Sequence, residues 1–239
     1  MRHATRRGSG LRALAGLGRD VLDLLIPRDC AGCGEAACDL CPACVASLLA
    51  SPFRHRPQPC PPGLPPLVAA STYAGTAQRA IIAWKERGLR ALATPLGGAL
   101  AAAIECGVRD RGIRGELLIV PIPASRAAVR SRGEDVLVRV AREAVTSLRS
   151  GGIEARVSPV LHLARSPRDQ AGLDARQRRV NLAGAMRAGS GLSGLPIVVV
   201  DDVVTTGATL AEAARALADA ARPPLLAATI AATTRRGIA

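Results

Sequence analysis

Aromatic side chains and lysine are scarce in this chain. Phe53, Tyr73 and Trp84 are its only aromatic residues, and Lys85 is its only lysine. Proteins that bind single-stranded nucleic acid usually stack bases on aromatic rings, so DNA or RNA binding here would depend on arginine contacts to phosphate. The formal charge of +13 is nearly all arginine. It indicates either a generally basic solvated surface or a phosphate-bearing partner, which is a small molecule or a nucleic acid.

Long apolar runs are also missing. No apolar segment approaches the length that spans a bilayer, so we expect no membrane span. The basic opening is interrupted by Asp20 and Asp23, which argues against a secretory signal and favours a cytoplasmic protein. Residues 1–28 carry apolar residues near helical spacing, which predicts a short amphipathic segment that packs on the protein. With 239 residues, 49% of them apolar, the chain can form one α/β domain and a small accessory module.

Six of the seven cysteines lie in one short region, between positions 30 and 60. The stretch "CAGCGEAACDLCPAC" contains two Cys-x-x-Cys pairs, and two such knuckles complete a tetrahedral metal site. Disulfides are disfavoured in the cytoplasm. The sequence therefore predicts structural zinc rather than redox chemistry, held by Cys30, Cys33, Cys41 and Cys44.

Two further cysteines complicate this set. Cys38 forms an alternative knuckle with Cys41, whereas Cys60 has no partner two residues on. Cys60 lies in the proline-rich stretch "SPFRHRPQPCPPGLPP", which reads as a linker. The predicted organisation is an N-terminal segment at 1–28, a zinc-ribbon-like module at 29–50, a linker at 51–66 and a main domain at 67–239.

The main domain alternates strand and helix patterns. Short apolar runs such as "ELLIVPIP", "LPIVVV" and "PLLAATIAATT" predict strands, and "TAQRAIIAWKERG", "DVLVRVAREAVTSLRSGG" and "ATLAEAARALADA" predict helices. This order predicts an α/β fold with a mostly parallel sheet and helices on both faces.

One strand leads directly into two carboxylates. "IVVVDDVVTTGATL" places Asp201 and Asp202 after the buried valines, at the strand end where ligands of such sheets bind. The backbone N–H groups of Thr205 to Thr209 then open a helix, which suits a phosphate. Carboxylates beside a phosphate make sense if a sugar lies between them, so a ribose 5-phosphate fits. The segment lacks both the Walker Gly-Lys pair and the dinucleotide fingerprint.

The stretch "VVVDDVVTTGAT" closely resembles the phosphoribosyl-diphosphate (PRPP) signature of type I phosphoribosyltransferases. The resemblance implies that Asp201 and Asp202 contact the ribose hydroxyls as the catalytic pair, and that PRPP binds with Mg²⁺. It also implies that the following loop wraps the 5-phosphate, through Thr205, Thr206, Gly207, Ala208 and Thr209.

The wider pattern is similar to the ComF family, phosphoribosyltransferase-like proteins linked to competence and DNA uptake. The similarity covers the four cysteines after "LLIP", then "AWKERG", "VPIPASRAAVRSRGED", "DQAGLDARQRRVNLAG" and the terminal signature. It implies a type I phosphoribosyltransferase-like sheet after the zinc module. Only Cys60 remains where many members carry a second set of cysteine pairs, so we expect no second knuckle.

Three other segments are candidate parts of the site. The loop of Pro123, Ala124, Ser125 and Arg126 is the expected pyrophosphate loop by family resemblance, and Arg130 and Arg132 follow it. A polar stretch that includes Gln170, Arg176 and Arg179 is a candidate lid by the same resemblance. Lys85, at a helix end beside glycine, lies either near an anion or on the surface.

Three hypotheses follow. The leading one is a PRPP-binding phosphoribosyltransferase that transfers ribose 5-phosphate to an unidentified acceptor. The second is a non-catalytic single-stranded-DNA-binding module of the DNA-uptake (competence) machinery, with PRPP as a regulator or relic. The third is a scaffold whose zinc module docks a partner protein.

Overall fold

The computed structural model describes residues 29–36, 38–165, 177, 181–190, 192 and 194–234. The predicted segment 1–28 and the candidate lid residues Gln170, Arg176 and Arg179 lie outside these ranges. Helices of the described part are α1 (Pro42–Leu49), α2 (Gly75–Glu86), α3 (Ala93–Asp110), α4 (Arg126–Arg132), α5 (Val136–Ser150) and α6 (Ala208–Asp219), with a 3₁₀ turn at Arg90–Leu92. Its strands are β1 (Phe53–His55), β2 (Leu67–Thr72), β3 (Leu117–Pro121), β4 (Ala155–Val157), β5 (Leu161–Leu163), β6 (Met186–Ala188), β7 (Ile197–Val204) and β8 (Leu226–Ala232).

Six of these strands form one sheet in the order β1-β2-β8-β7-β3-β4. Only β1 is antiparallel to its neighbour, and the other five strands run parallel. The carboxyl ends of β2, β8, β7 and β3 therefore meet at one edge, with β7 and β8 in the middle. Strands β5 and β6 form a separate antiparallel ribbon.

Helices cover the sheet on both faces. Helix α3 packs on β2 and β8, α5 packs on β3, β4 and β7, and the two helices also contact each other, so they share a face. The connections through α3 and α5 run along the sheet towards β4, whereas the β7–α6–β8 connection runs towards β1. Because such crossovers are right-handed, α6 lies on the other face. Every residue of β8 is buried accordingly. The predicted mixed α/β fold with a mostly parallel sheet is confirmed.

Two segments differ from the sequence prediction. The proline-rich stretch expected as a linker contributes β1, which pairs with β2 through Phe53↔Ala69 and His55↔Leu67. The apolar stretch "ARVSPVLHL", whose composition predicts one short strand, instead divides at Pro159 into β4 of the main sheet and β5 of the ribbon. Proline removes a ladder donor, which explains why the pairing changes there.

The expectation that no apolar segment reaches membrane-spanning length is wrong. Residues Arg90–Asp110 form a 21-residue helical segment with a mean hydropathy of 1.5 in its most apolar window, long and apolar enough to cross a bilayer. In the structure 61% of that window is buried, and α3 packs against β2, β8 and α5. Its apolar character is thus accounted for by a place in the core.

The N-terminal module also joins this core. Leu48 of α1 is 1% exposed and belongs to the main apolar cluster, together with Ala31 between the cysteines. Helix α1 contacts α2, α3 and β2. The module is therefore packed onto the sheet domain through its own apolar residues.

Candidate functional site

The four predicted metal ligands come together in the fold. The sulfur atoms of Cys30, Cys33, Cys41 and Cys44 all lie within 4.8 Å of one another, and three of the four residues are buried. A tetrahedral zinc site with Zn–S bonds of about 2.3 Å needs sulfur atoms about 3.8 Å apart. The Sγ atoms of Cys33 and Cys41 are 3.6 Å apart. The cluster could hold a structural metal ion such as zinc.

Backbone donors around Cys30 favour its thiolate form. The N–H groups of Cys41 and Gly32 donate to Cys30 Sγ at 3.2 and 3.4 Å. Burial alone would raise the pKa of Cys30, but these backbone hydrogen bonds outweigh it and lower that pKa to about 6. A metal needs deprotonated sulfur, so the donors suit the metal-bound form.

The choice between alternative knuckles is also resolved. Cys38 is only partly buried and packs beside the cluster without joining the four. The Cys38–Cys41 knuckle is therefore not the one the fold assembles. Cys60 donates weakly to the carbonyl of Pro61 at 3.7 Å, away from this group.

The carboxylate pair lies in the centre of the sheet. Strand β7 continues through both aspartates to Val204, four residues beyond the buried valines of the predicted strand. Asp201 pairs in register with Thr229 of β8, and the strand is flanked by β3 on its other side. Both carboxylates thus come from the last half of the central strand, near the edge where ligands of parallel sheets bind.

Asp202 forms an ion pair with Lys85, the only lysine of the chain. The Asp202 side chain is 9% exposed and that of Lys85 is 34% exposed. Burial would lower the pKa of Lys85, but the charges of Asp202 and Asp201 outweigh it and the pKa is raised. Arg132 is also close enough to act on Lys85, in the opposite direction. Of the two alternatives left by the sequence, the fold places Lys85 beside an anionic group.

Asp201 occupies a different environment. It is partly buried, and its Oδ1 accepts a hydrogen bond from the N–H of Asp202 at 2.8 Å. Burial, followed by repulsion from Asp202, raises the pKa of Asp201 well above its usual range. A cation or hydroxyl donors at this carboxylate would therefore stabilise its charged form.

The loop after β7 forms a small open hollow next to Asp201. The hollow has a volume of about 20 Å³ and is lined by residues 203–210 together with Asp201. Gly207 has φ 74°, a conformation that favours glycine, and it precedes the first turn of α6. Thr206 Oγ1 accepts from the N–H of Ala208 at 3.4 Å. The predicted phosphate loop is therefore a compact turn at a helix start, with Thr205 exposed and Thr209 partly buried.

The loop expected to hold pyrophosphate follows β3, the neighbour of β7, but some of its polar groups are already engaged. The N–H of Ala124 donates to Asp135 Oδ2 at 3.1 Å, and Ser125 Oγ accepts from the N–H of Ala128 at 3.1 Å as the cap of α4. Pro123 has no N–H to offer. Among the predicted residues, Arg126 keeps an exposed side chain with no acidic partner within the described ranges.

A buried acidic residue fastens the β5–β6 ribbon to α6. Glu212 is 6% exposed and accepts from the N–H of Met186 at 3.0 Å and from Arg215 at 2.7 and 2.8 Å. Burial would raise the pKa of Glu212, but these hydrogen bonds and the Arg215 charge outweigh it and lower that pKa. Arg165 donates to the carbonyls of Asn181 and Ala183 at 2.8 Å, so the residues that flank positions 166–180 lie next to each other.

Sequence reasoning missed the two acidic residues that organise these loops. Asp135 directly precedes an apolar helical pattern, the usual position of a helix cap, and this signal was present in the sequence. Glu212 lies among alanine and leucine on the buried side of α6. Acidic residues are rarely buried unless they are paired, so an acidic residue on the apolar face of a helix indicates a hydrogen-bonding or charged partner in the interior.

Neither known protein-family models nor curated proteins gave a match to this chain.

Proposed function

We propose that this chain is a phosphoribosyltransferase-like protein of the ComF type that binds PRPP with Mg²⁺. One observation carries the proposal. Strand β7, in the centre of a mostly parallel sheet, carries two adjacent carboxylates near its carboxyl end. A glycine-containing turn follows it and starts a helix. That arrangement places carboxylates that accept hydrogen bonds from hydroxyl groups next to backbone N–H groups that can bind a phosphate, a combination that suits ribose 5-phosphate.

The two aspartates would have different tasks. Asp201 lines the hollow of the phosphate loop and would accept hydrogen bonds from ribose hydroxyls. Asp202 is held by Lys85 and would supply a fixed negative charge behind the ring. The 5-phosphate would bind the loop of Thr205, Thr206, Gly207, Ala208 and Thr209.

Arginines would hold the pyrophosphate. Arg126 is exposed on the loop after β3, and Arg132 lies near Lys85 at the end of α4. Because Ala124 N–H is engaged by Asp135, we assign pyrophosphate contacts to guanidinium groups rather than to this backbone donor. The assignment of Pro123 and Ser125 in this loop stays a prediction.

Magnesium would be shared between protein and ligand. Asp201 offers carboxylate oxygens, the ligand type that Mg²⁺ prefers, whereas Asp202 Oδ2 faces Lys85. The carboxylate pair thus supplies few oxygen ligands, and the phosphates of PRPP would supply the others. Bound Mg²⁺ would neutralise charge on the leaving pyrophosphate.

The reaction supported by this arrangement is pentosyl transfer. Pyrophosphate would leave C1 of the ribose with its bonding electrons, and positive charge would develop on the ring. Preorganised carboxylates stabilise such charge without reorganisation. A nitrogen nucleophile of the acceptor would then form the new bond at C1. The acceptor is unidentified.

The proposal is tested by calorimetric titration of zinc-loaded protein with PRPP and Mg²⁺. We expect saturable binding that requires Mg²⁺ and is lost in Asp201→Asn/Asp202→Asn. Asp110→Asn, which alters an aspartate paired with Arg54, is the matched control and keeps native binding. Binding that persists in the double aspartate variant contradicts the site, and no binding to native protein at millimolar PRPP contradicts the proposal.

The DNA-binding alternative has less support from the fold. Trp84 is 2% exposed, and Phe53 and Tyr73 are partly buried, so none of the three aromatic residues presents an open stacking surface. The net charge of +13 still favours phosphate contacts. Affinity for a single-stranded oligonucleotide that falls steeply with salt would support this alternative, and no affinity at low salt would remove it.

A further inference from the structure

Helix α2 contacts the cysteine module at one end and the carboxylate pair at the other. Thr76 and Arg79 in its first half touch the module, and Lys85 in its last turn pairs with Asp202. An α-helix rises about 1.5 Å per residue, so about 9 Å of helix separates Arg79 from Lys85. The two sites of the protein thus share one short element.

The module end of α2 is closely fitted. Arg79 Nε donates to the carbonyl of Gly32 within the first knuckle, and Thr76 Oγ1 donates to Cys44 Sγ at 3.8 Å. A Cβ added at Gly32 would lie 2.5 Å from Cys44 Sγ and 3.0 Å from Thr76 Cγ2. Gly32 of the knuckle therefore packs closely against both a metal-ligand sulfur and the helix. Hydrogen bonds to ligand sulfurs and to knuckle carbonyls orient such sites.

The intervening helix is fixed on one side and solvated on the other. Its buried residues are Ala77, Ala80, Ile81, Ala83 and Trp84. Ile82 is 40% exposed, and Arg79 is exposed as well. Three of the five buried residues are alanines, so the apolar face of α2 buries less area than a face made only of large side chains would. Polar contacts at the helix ends then contribute to its placement.

We propose that the metal-loaded cysteine module positions Lys85 on Asp202 through helix α2, with Arg79 as the positioning residue. Metal binding fixes the backbone of the first knuckle, including the Gly32 carbonyl. That carbonyl fixes Arg79 and the first turns of α2. The last turn then presents the Lys85 ammonium to Asp202. The proposal does not depend on PRPP, so it survives or fails separately from the proposed function.

The single lysine makes this contact measurable without substrate. Acylation by N-hydroxysuccinimidyl acetate at fixed pH modifies only the free amine, and peptide mass spectrometry separates Lys85 from the α-amino group. Each unit by which pairing raises the pKa lowers the free amine about tenfold. Lys85 in metal-loaded native protein should therefore be acylated slowly. Asp202→Asn removes the partner charge, so its faster acylation rate is the reference for an unpaired Lys85.

The variant that isolates the proposal is Arg79→Gln. We expect Lys85 in metal-loaded Arg79→Gln to react at least roughly threefold faster than in native protein, approaching the Asp202→Asn rate. Removing the metal from native protein should accelerate the reaction by a similar factor. Arg142→Gln, another exposed helical arginine, is the matched control and keeps the native rate. Metal content and circular dichroism are measured for every sample.

Native acylation rates in Arg79→Gln would overturn the proposal, whether or not that variant keeps its metal, provided that Asp202→Asn is faster. Equal acceleration in Arg142→Gln would overturn it too, because the effect would then be general. If metal removal unfolds the protein, the folded Arg79→Gln variant decides. Faster acylation in Arg79→Gln, with native circular dichroism, supports the coupling, and a native rate in that variant contradicts it whatever the rate in Thr76→Val.

Discussion

Replacing Lys85 with methionine leaves the Asp202 carboxylate without its cation. Methionine keeps the length and packing of the lysine stem, so the change removes mainly the charge. Asp202 is 9% exposed at its side chain, and a buried charge that loses its partner destabilises the folded state. We therefore expect Lys85→Met to lower the free energy of unfolding.

The magnitude follows from the exposure of the two partners. Breaking a fully buried pair costs about 3–5 kcal/mol, whereas exposed pairs contribute about 0–1 kcal/mol. Because the Lys85 side chain is 34% exposed, we expect an intermediate loss of about 2 kcal/mol. For a chain of this size such a loss lowers the Tm by roughly 4–8 °C.

The assay is urea unfolding of four proteins: native, Lys85→Met, Asp202→Asn and the double variant. The carboxamide of Asn tolerates a missing cation, so the double variant should be less destabilised than the two single losses added together, with a coupling of at least about 1 kcal/mol. A coupling near zero would refute the interaction.

The pH dependence of the same proteins supplies a second check. A raised folded-state pKa for Lys85 means that its stabilisation is fully present below the usual value of 10.5 and is lost as pH rises through the folded value. The stability difference between native protein and Lys85→Met should therefore be constant at neutral pH and shrink above pH 10.5. A difference that grows in that range would contradict the assignment.

Three further predictions concern other parts of the fold. Glu212→Gln should lower the free energy of unfolding in urea by about 1–3 kcal/mol at pH 7. Because the pKa of Glu212 is lowered from 4.5, the extra stability of the native protein should be lost as pH falls below 4.5. A stability difference that is unchanged at pH 3 would contradict this. Cys44→Ser should bind zinc more weakly in a chelator competition, whereas Cys60→Ser should bind it normally. Asp135→Ala removes the cap of α5 and the Ala124 contact and should cost about 1–2 kcal/mol by thermal unfolding; a loss below about 0.5 kcal/mol would mean that water replaces the cap.

Much of the central fold could be predicted from local pattern. The run of valines before Asp201 is long, β-branched and bounded by a turn, so it predicts a buried strand without ambiguity. The four cysteines were identifiable from spacing, because a knuckle is a local structure. Cys38 could not be excluded by spacing alone, since only the fold shows which sulfurs converge.

What the sequence did not predict depends on contacts between distant segments. Edge strand β1 lies in a proline-rich stretch whose composition favours a linker, and only β2 gives its backbone a partner. The Lys85–Asp202 pair joins residues more than a hundred positions apart, and no local rule links them. The apolar length of α3 was underestimated because its alanines and glycines are weakly apolar one by one, although they form a continuous buried segment.

The two ends of the main sheet share a feature that bears on solubility. Both terminal strands, β1 and β4, are only three residues long, and each has an arginine at its middle position. Arg54 pairs with Asp110 at 3.0 Å and Arg156 with Glu116 at 3.6 Å, and both side chains are largely exposed. Short charged edges discourage one sheet from extending into another. Replacing Arg54 and Arg156 with threonine would remove that protection, and edge-to-edge aggregation of the folded protein at high concentration is the expected consequence.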